Sequence, residues 1–163
     1  MPDTLKGTLV IGYGNALRGD DGAGFIAAEL LRERIQDAKV EVLSLHQLTP
    51  ELMEAISRAR HGVFIDASVV GRAGKFNRIP LRPAPACSRF THQVGPETLL
   101  AGAQALYGRT PQATLYTIPG RNFEVGRELT PSVRRAVEAL VAELVRELER
   151  DESGVLSAAD RIG

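Results

Sequence analysis

The apolar positions of this chain switch between a period of two and a period of about four, and the switches lay out alternating strands and helices. Leu9, Val10 and Ile11 form a short run that predicts a buried strand, and Gly12 and Gly14 free the backbone for a sharp exit. From Ala23 onward Phe25, Ala28, Leu31 and Ile35 recur at helical spacing and predict a first helix. Lys39 to Leu45 reads as a second strand with one face buried, ending at His46. Thr49 as N-cap, Pro50 at the first helical position and Glu51 in the first turn then predict a short second helix, with Leu52, Met53 and Ile56 on one face. His61 to Asp66 is a third strand, apolar until the carboxylate at its carboxyl end.

Residues 67 to 91 are less regular. Gly71 and Gly74 precede an expected edge strand near Lys75 to Leu81, and Pro80, Pro83 and Pro85 mark an edge hairpin and a long functional loop. After Thr91-His92-Gln93 a third helix is predicted through Leu99, Leu100, Ala103 and Leu106, ending near Gly108. Ala113 to Ile118 reads as a further strand, stopped by Pro119-Gly120. Thr130-Pro131 starts a long last helix with Val133, Val137, Leu140, Val141, Leu144 and Leu148 on one stripe, and Arg134, Glu138, Arg146 and Glu149 on a solvated face. Beyond Arg150 the periodicity is lost, so residues 151–163 are expected to be a mobile tail on a single α/β domain spanning 1–150. The order implies a three-layer α/β fold with a mostly parallel, twisted five-stranded sheet, helices on both faces and right-handed crossovers.

Composition narrows the classes. At 163 residues and 44% apolar content the chain fits one domain with a proper core. Twenty Lys and Arg balance twenty Asp and Glu, so no broad positive field is offered to nucleic acid or to an anionic membrane, and neither is an expected partner. The opening residues carry no charged leader with a long apolar core, and no run approaches the roughly 20 apolar residues of a membrane span. A cytoplasmic location is expected. The lone Cys87 has no internal disulfide partner, in keeping with a reducing compartment.

The candidate chemistry begins at Gly12-Tyr-Gly-Asn-Ala-Leu-Arg-Gly-Asp-Asp-Gly-Ala-Gly24, where a Gly-rich, doubly acidic loop joins the first strand to the first helix. A dinucleotide fingerprint would need glycine at Leu17, and a phosphate-cradling loop would need Lys followed by Ser or Thr where Asp20 and Asp21 stand. One of these carboxylates is expected to N-cap the helix, which leaves the other free. Parallel strands would deliver Asp21, His46 and Asp66 to one rim, and the loop before the third helix would add His92. Taken singly, Asp66 reads as a strand-end cap and a loop histidine as a surface residue; their common placement is what points to chemistry. Two carboxylates with one or two imidazoles suit a divalent transition metal, and three protein ligands leave positions open for water or substrate. Cys87 lies near His92, but no helix start between them would lower its thiol pKa, and no Gly-x-Ser-x-Gly elbow exists to support a serine triad.

The Gly12 to Gly24 stretch, Phe-Ile-Asp-Ala at 64 to 67, Thr-His-Gln at 91 to 93 and Glu128-Leu-Thr-Pro-Ser-Val133 together resemble the hydrogenase maturation endopeptidases. The motifs span most of the chain in the family's order. The resemblance implies a five-stranded α/β fold and an endopeptidase activity. Such an enzyme removes a short carboxyl-terminal extension from the precursor of a nickel-iron hydrogenase large subunit after nickel insertion, which lets the subunit close over its metal centre. It further implies that Asp21, Asp66 and His92 are the catalytic and metal-contacting residues, with Asp21 standing where some members have Glu. The implied metal is nickel, carried by the substrate, with another divalent transition metal as a substitute in vitro. His46-Gln-Leu-Thr-Pro50 departs from the Gly-rich turn of some members and looks like the branch serving soluble, cofactor-linked hydrogenases; His46 is expected to cap a strand. The loop from 82 to 91 is expected to shape a peptide groove, and the protein to be a monomer. The competing reading is a non-catalytic metal-sensing binding module, or a chaperone, for a metalloprotein partner.

Overall fold

The structure is a computed structural model that describes residues 6–85, 94–126 and 128–152. Its strands are β1 (Lys6–Tyr13), β2 (Val40–Leu45), β3 (Ala59–Ser68), β4 (Asn77–Leu81) and β5 (Gln112–Pro119). Its helices are α1 (Ala23–Arg34), α2 (Leu52–Arg58), α3 (Pro96–Tyr107) and α4 (Pro131–Glu152), and a 3-10 turn, Gly19–Gly22, precedes α1. The strands form one sheet in the order β2-β1-β3-β5-β4, all parallel except β4, which pairs antiparallel with β5 at the edge. Pro80 sits on that edge strand, where a missing N–H costs no central hydrogen bond.

Both faces of the sheet are covered, so β1 needs apolar side chains in both directions. Val10 joins Ala27, Leu31, Tyr116, Val137, Leu140 and Leu144 in the core under α1 and α4. Leu9 and Ile11 turn the other way, to Phe64, Ile56, Leu99, Leu100 and Ala103 under α2 and α3. Burial of these side chains contributes about 1.5–3 kcal/mol each before chain entropy is counted. Along α4 the expected stripe from Val133 to Leu148 is buried, while Arg134, Glu138, Arg146 and Glu149 are exposed.

Three local expectations change. The second strand is not one-faced: Val40 and Val42 pack on one core and Leu43 and Leu45 on the other, because helices cover both sides even of this edge strand. The second helix starts at Leu52, after Thr49 and Pro50 accept tight-turn bonds from Leu52 N–H and Met53 N–H, and its N-cap makes no side-chain cap bond. On α1 the buried set is Ala23, Gly24, Ala27, Ala28 and Leu31, with Phe25 only partly covered. The third helix ends as expected: Gly108 adopts the left-handed conformation, φ 78°, and donates to Gln104 O. The tail from 153, and the expected loop from 86 to 91, lie outside the described residues.

Candidate functional site

The sheet order creates a crevice between β1 and β3. The chain leaves β1 through α1 on one face to reach β2, then returns through α2 on the other face to β3. After β3 the chain passes through edge strand β4 to α3, on the face opposite α1, so the connections that leave β1 and β3 part to opposite faces at the carboxyl ends of these two strands, which is where open α/β sheets bind their ligands. Tyr13 ends β1 there, and Asp66 lies near the end of β3. Gly24 lets the first turn of α1 press onto this point: a Cβ on Gly24 would strike the carbonyl oxygens of Ile65 and Tyr13. That close approach brings the acidic turn to the crevice.

The adjacent aspartates have different work. Asp20 is fully buried. Its Oδ2 accepts from Arg121 N–H at 2.7 Å and Asn122 N–H at 2.9 Å, and its Oδ1 accepts from Thr130 N–H at 2.7 Å. The Thr130 hydroxyl lies within 3.1 Å of both oxygens, and Asp20 N–H donates to Asn122 O at 2.8 Å. Burial opposes its charge, but these donors outweigh burial and hold the carboxyl below its usual range. The expectation that one aspartate N-caps the first helix is thereby corrected. Neither the 3-10 turn nor α1 has a side-chain cap; Asp20 instead spans to the β5–α4 loop and the entrance of α4.

Asp21 is partly buried and accepts from Asn15 N–H at 3.0 Å, which fixes one oxygen against the loop that precedes it. Asp66 is also partly buried. Burial pushes its carboxyl up to about 6, and the charge of Asp21 adds to the rise, while the Tyr13 hydroxyl and Ala67 N–H pull the other way. The structure thus brings Asp21 and Asp66 within electrostatic reach of each other. Among the described residues neither has a cationic partner: the ion pairs are Arg32–Glu29 and Arg58–Glu54. Two neighbouring carboxylates that make each other's ionisation costlier are relieved by a bound cation, so the donor chemistry fits a divalent metal.

His92, expected as the third member, and Cys87 lie outside the described residues. Among the described residues no three His, Cys, Asp or Glu side chains are grouped closely enough to hold a metal ion, so His46 does not complete the pair. It is exposed, and its ring stacks on Phe25 with centroids 5.4 Å apart and planes 12° from parallel. Asp20 as a clamp, Thr130 as its partner and Tyr13 beside Asp66 are residues that pattern reasoning missed. Strand alternation from Leu9 and Ile11 would have put Tyr13 on the Asp66 face, whereas nothing local links Asp20 to Thr130. Two cavities of about 690 Å³ open elsewhere, toward the amino ends of the strands, lined by residues such as Lys39, Glu41 and Arg60 in one and His61, Arg78 and Glu147 in the other. They do not include the aspartates.

No family model matches the sequence, and no curated protein does. Solved structures do match. The nickel-iron hydrogenase maturation protease HycI from Thermococcus kodakarensis superposes with a TM-score of 0.75 at 20% identity, over 88% of this chain and 93% of its own. The hydrogenase maturating endopeptidase HybD from E. coli gives a TM-score of 0.74 at 26% identity, with the same two coverages of 88% and 93%. A hydrogenase 2 maturation peptidase from a Thaumarchaeota archaeon gives 0.66 at 24% identity, over 87% of this chain and 97% of its own. The fold read from the sequence is borne out along nearly the whole chain.

Proposed function

We propose that this chain, which shares its fold with named hydrogenase maturation endopeptidases, removes a carboxyl-terminal extension from the precursor of a nickel-iron hydrogenase large subunit after nickel insertion. The observation that carries the reading is the Asp21–Asp66 carboxylate pair at the β1–β3 crevice, without a cationic partner among the described residues, on a fold shared with named peptidases of this class. Asp21 and Asp66, with His92 as the third donor, would engage the nickel carried by the precursor. Bound there, the metal supplies either a recognition point that fixes the scissile bond nearby or Lewis-acid polarisation of its carbonyl. The chain's own part is to hold both carboxylates in place: Asn15 N–H fixes Asp21, and Asp20 ties the acidic turn to the β5–α4 loop.

The proposed setting is the cytoplasm. Two features support it: no helix among the described residues is long and apolar enough to cross a membrane, and the sequence has a lone cysteine. Asp21→Asn and Asp66→Asn test the activity. Both are rim substitutions that should leave the circular dichroism spectrum unchanged and abolish shortening of a nickel-loaded precursor. Full processing by the doubly substituted protein overturns the site. Binding of the precursor by the wild type without any shortened product would favour a metal-sensing binding module instead.

A further inference from the structure

Tyr13 stands beside Asp66 with no task in the reading so far. The parallel register pairs Gly12 with Ile65, so Tyr13 and Asp66 come next on adjacent strands. Alternation sends both to the same face of the sheet: Leu9, Ile11 and Phe64 define it by packing under α2 and α3, and the Tyr13 ring packs against that same core. That placement puts the phenol hydroxyl beside the Asp66 carboxylate, within its reach. Glu97, at the start of α3, adds negative charge on the same side.

The chemistry of the pair fixes which group donates. An ionised carboxylate can only accept, so the phenol that faces it takes the donor role. A phenylalanine would fill the same apolar space; the hydroxyl is the part that packing does not call for, and burying it is costly unless it is bonded. Ala67 N–H also reaches the Asp66 carboxylate, but one backbone donor leaves rotation about the Cβ–Cγ bond open, and the phenol is the second donor that would close it.

We propose that Tyr13 is a positioning residue: its hydroxyl fixes the rotation of the Asp66 carboxylate, so that Asp66 meets the metal pre-oriented. The proposal rests on the reading of Asp66 as a metal contact. Partners that orient a metal ligand in this way typically account for 10–100-fold in metal affinity, roughly the size of effect to look for.

The test is a set of four proteins, the wild type, Tyr13→Phe, Asp66→Asn and the double variant, titrated calorimetrically with Ni²⁺ alone at one fixed pH, with thermal midpoints measured alongside. The expected result is Ni²⁺ uptake by the wild type, weakened roughly 10–100-fold in Tyr13→Phe at a nearly unchanged midpoint. In the Asp66→Asn background Tyr13→Phe should have no further effect, because the group it orients is gone. Wild-type affinity in Tyr13→Phe, together with its loss in Asp66→Asn, overturns the positioning role and leaves the metal reading standing. A lowered midpoint with effects that simply add overturns it as well, since that is a packing role. Unchanged uptake in Asp66→Asn, or none in the wild type, overturns the metal reading itself.

Discussion

Thr130 meets the Asp20 carboxylate twice, through its N–H at 2.7 Å and its hydroxyl at 3.0 to 3.1 Å, across 110 residues of sequence. With Arg121 and Asn122 N–H on the other oxygen, one buried side chain organises the β5–α4 loop against the acidic turn. Asp20→Ala leaves those backbone donors without an acceptor, and each such loss costs roughly 1–3 kcal/mol. The expected destabilisation is about 3–5 kcal/mol, read from the midpoint of urea unfolding. Asp20→Asn keeps one acceptor oxygen and should fall between. Because the folded carboxyl lies below its ordinary range, its contribution is complete above that range and is lost as the pH falls through the folded value. The gap between wild type and Asp20→Ala should therefore close in acid.

The alternation of elements was legible because each is periodic over its own length: the α4 stripe from Val133 to Leu148 and the Gly108 stop need no tertiary information. The rim address of Asp21 and Asp66 was legible for the same reason, since a carboxylate after an apolar strand marks its carboxyl end. Residues tied by distant contacts were not. The Asp20–Thr130 clamp is a long-range pairing with no sequence period, and the two-faced packing of β2 depends on which helices cover the edge. His46 looked like a rim residue from its place after β2, but its stacking on Phe25 depends on how α1 crosses the sheet.

Asp66 predicts a pH dependence of the opposite sign to Asp20. A carboxyl raised to about 6 from an unfolded value near 3.9 binds its proton more tightly in the folded protein, so folding is favoured below both values and penalised above them. Between about pH 4 and pH 6 the wild type should lose on the order of 2–3 kcal/mol relative to Asp66→Asn, and the difference should level off on either side. Urea unfolding of both proteins across that range measures it.

Gly24→Ala tests the contact that delivers the acidic turn. The added methyl would meet the backbone carbonyls of Ile65 and Tyr13, which cannot rotate away as a side chain can. A loss of about 1–3 kcal/mol or more is expected, and the shift of α1 should weaken processing beyond what the stability loss explains. Thermal unfolding, together with processing measured well below the midpoint, separates the two effects.

His46→Ala should process a nickel-loaded precursor as the wild type does, at a stability cost of about 1 kcal/mol or less for the lost stacking on Phe25. A large loss of activity at unchanged stability would assign His46 to the site after all. Steady-state rates on the same precursor provide the comparison.

The central claim is that the chain cuts a hydrogenase large-subunit precursor only once nickel is in place. Its most direct test is the intact mass of such a precursor after incubation with this protein, with and without prior nickel loading. Loss of a carboxyl-terminal peptide from the loaded form alone is the predicted result. Two precursors of unchanged mass, still associating with the protein, would contradict it.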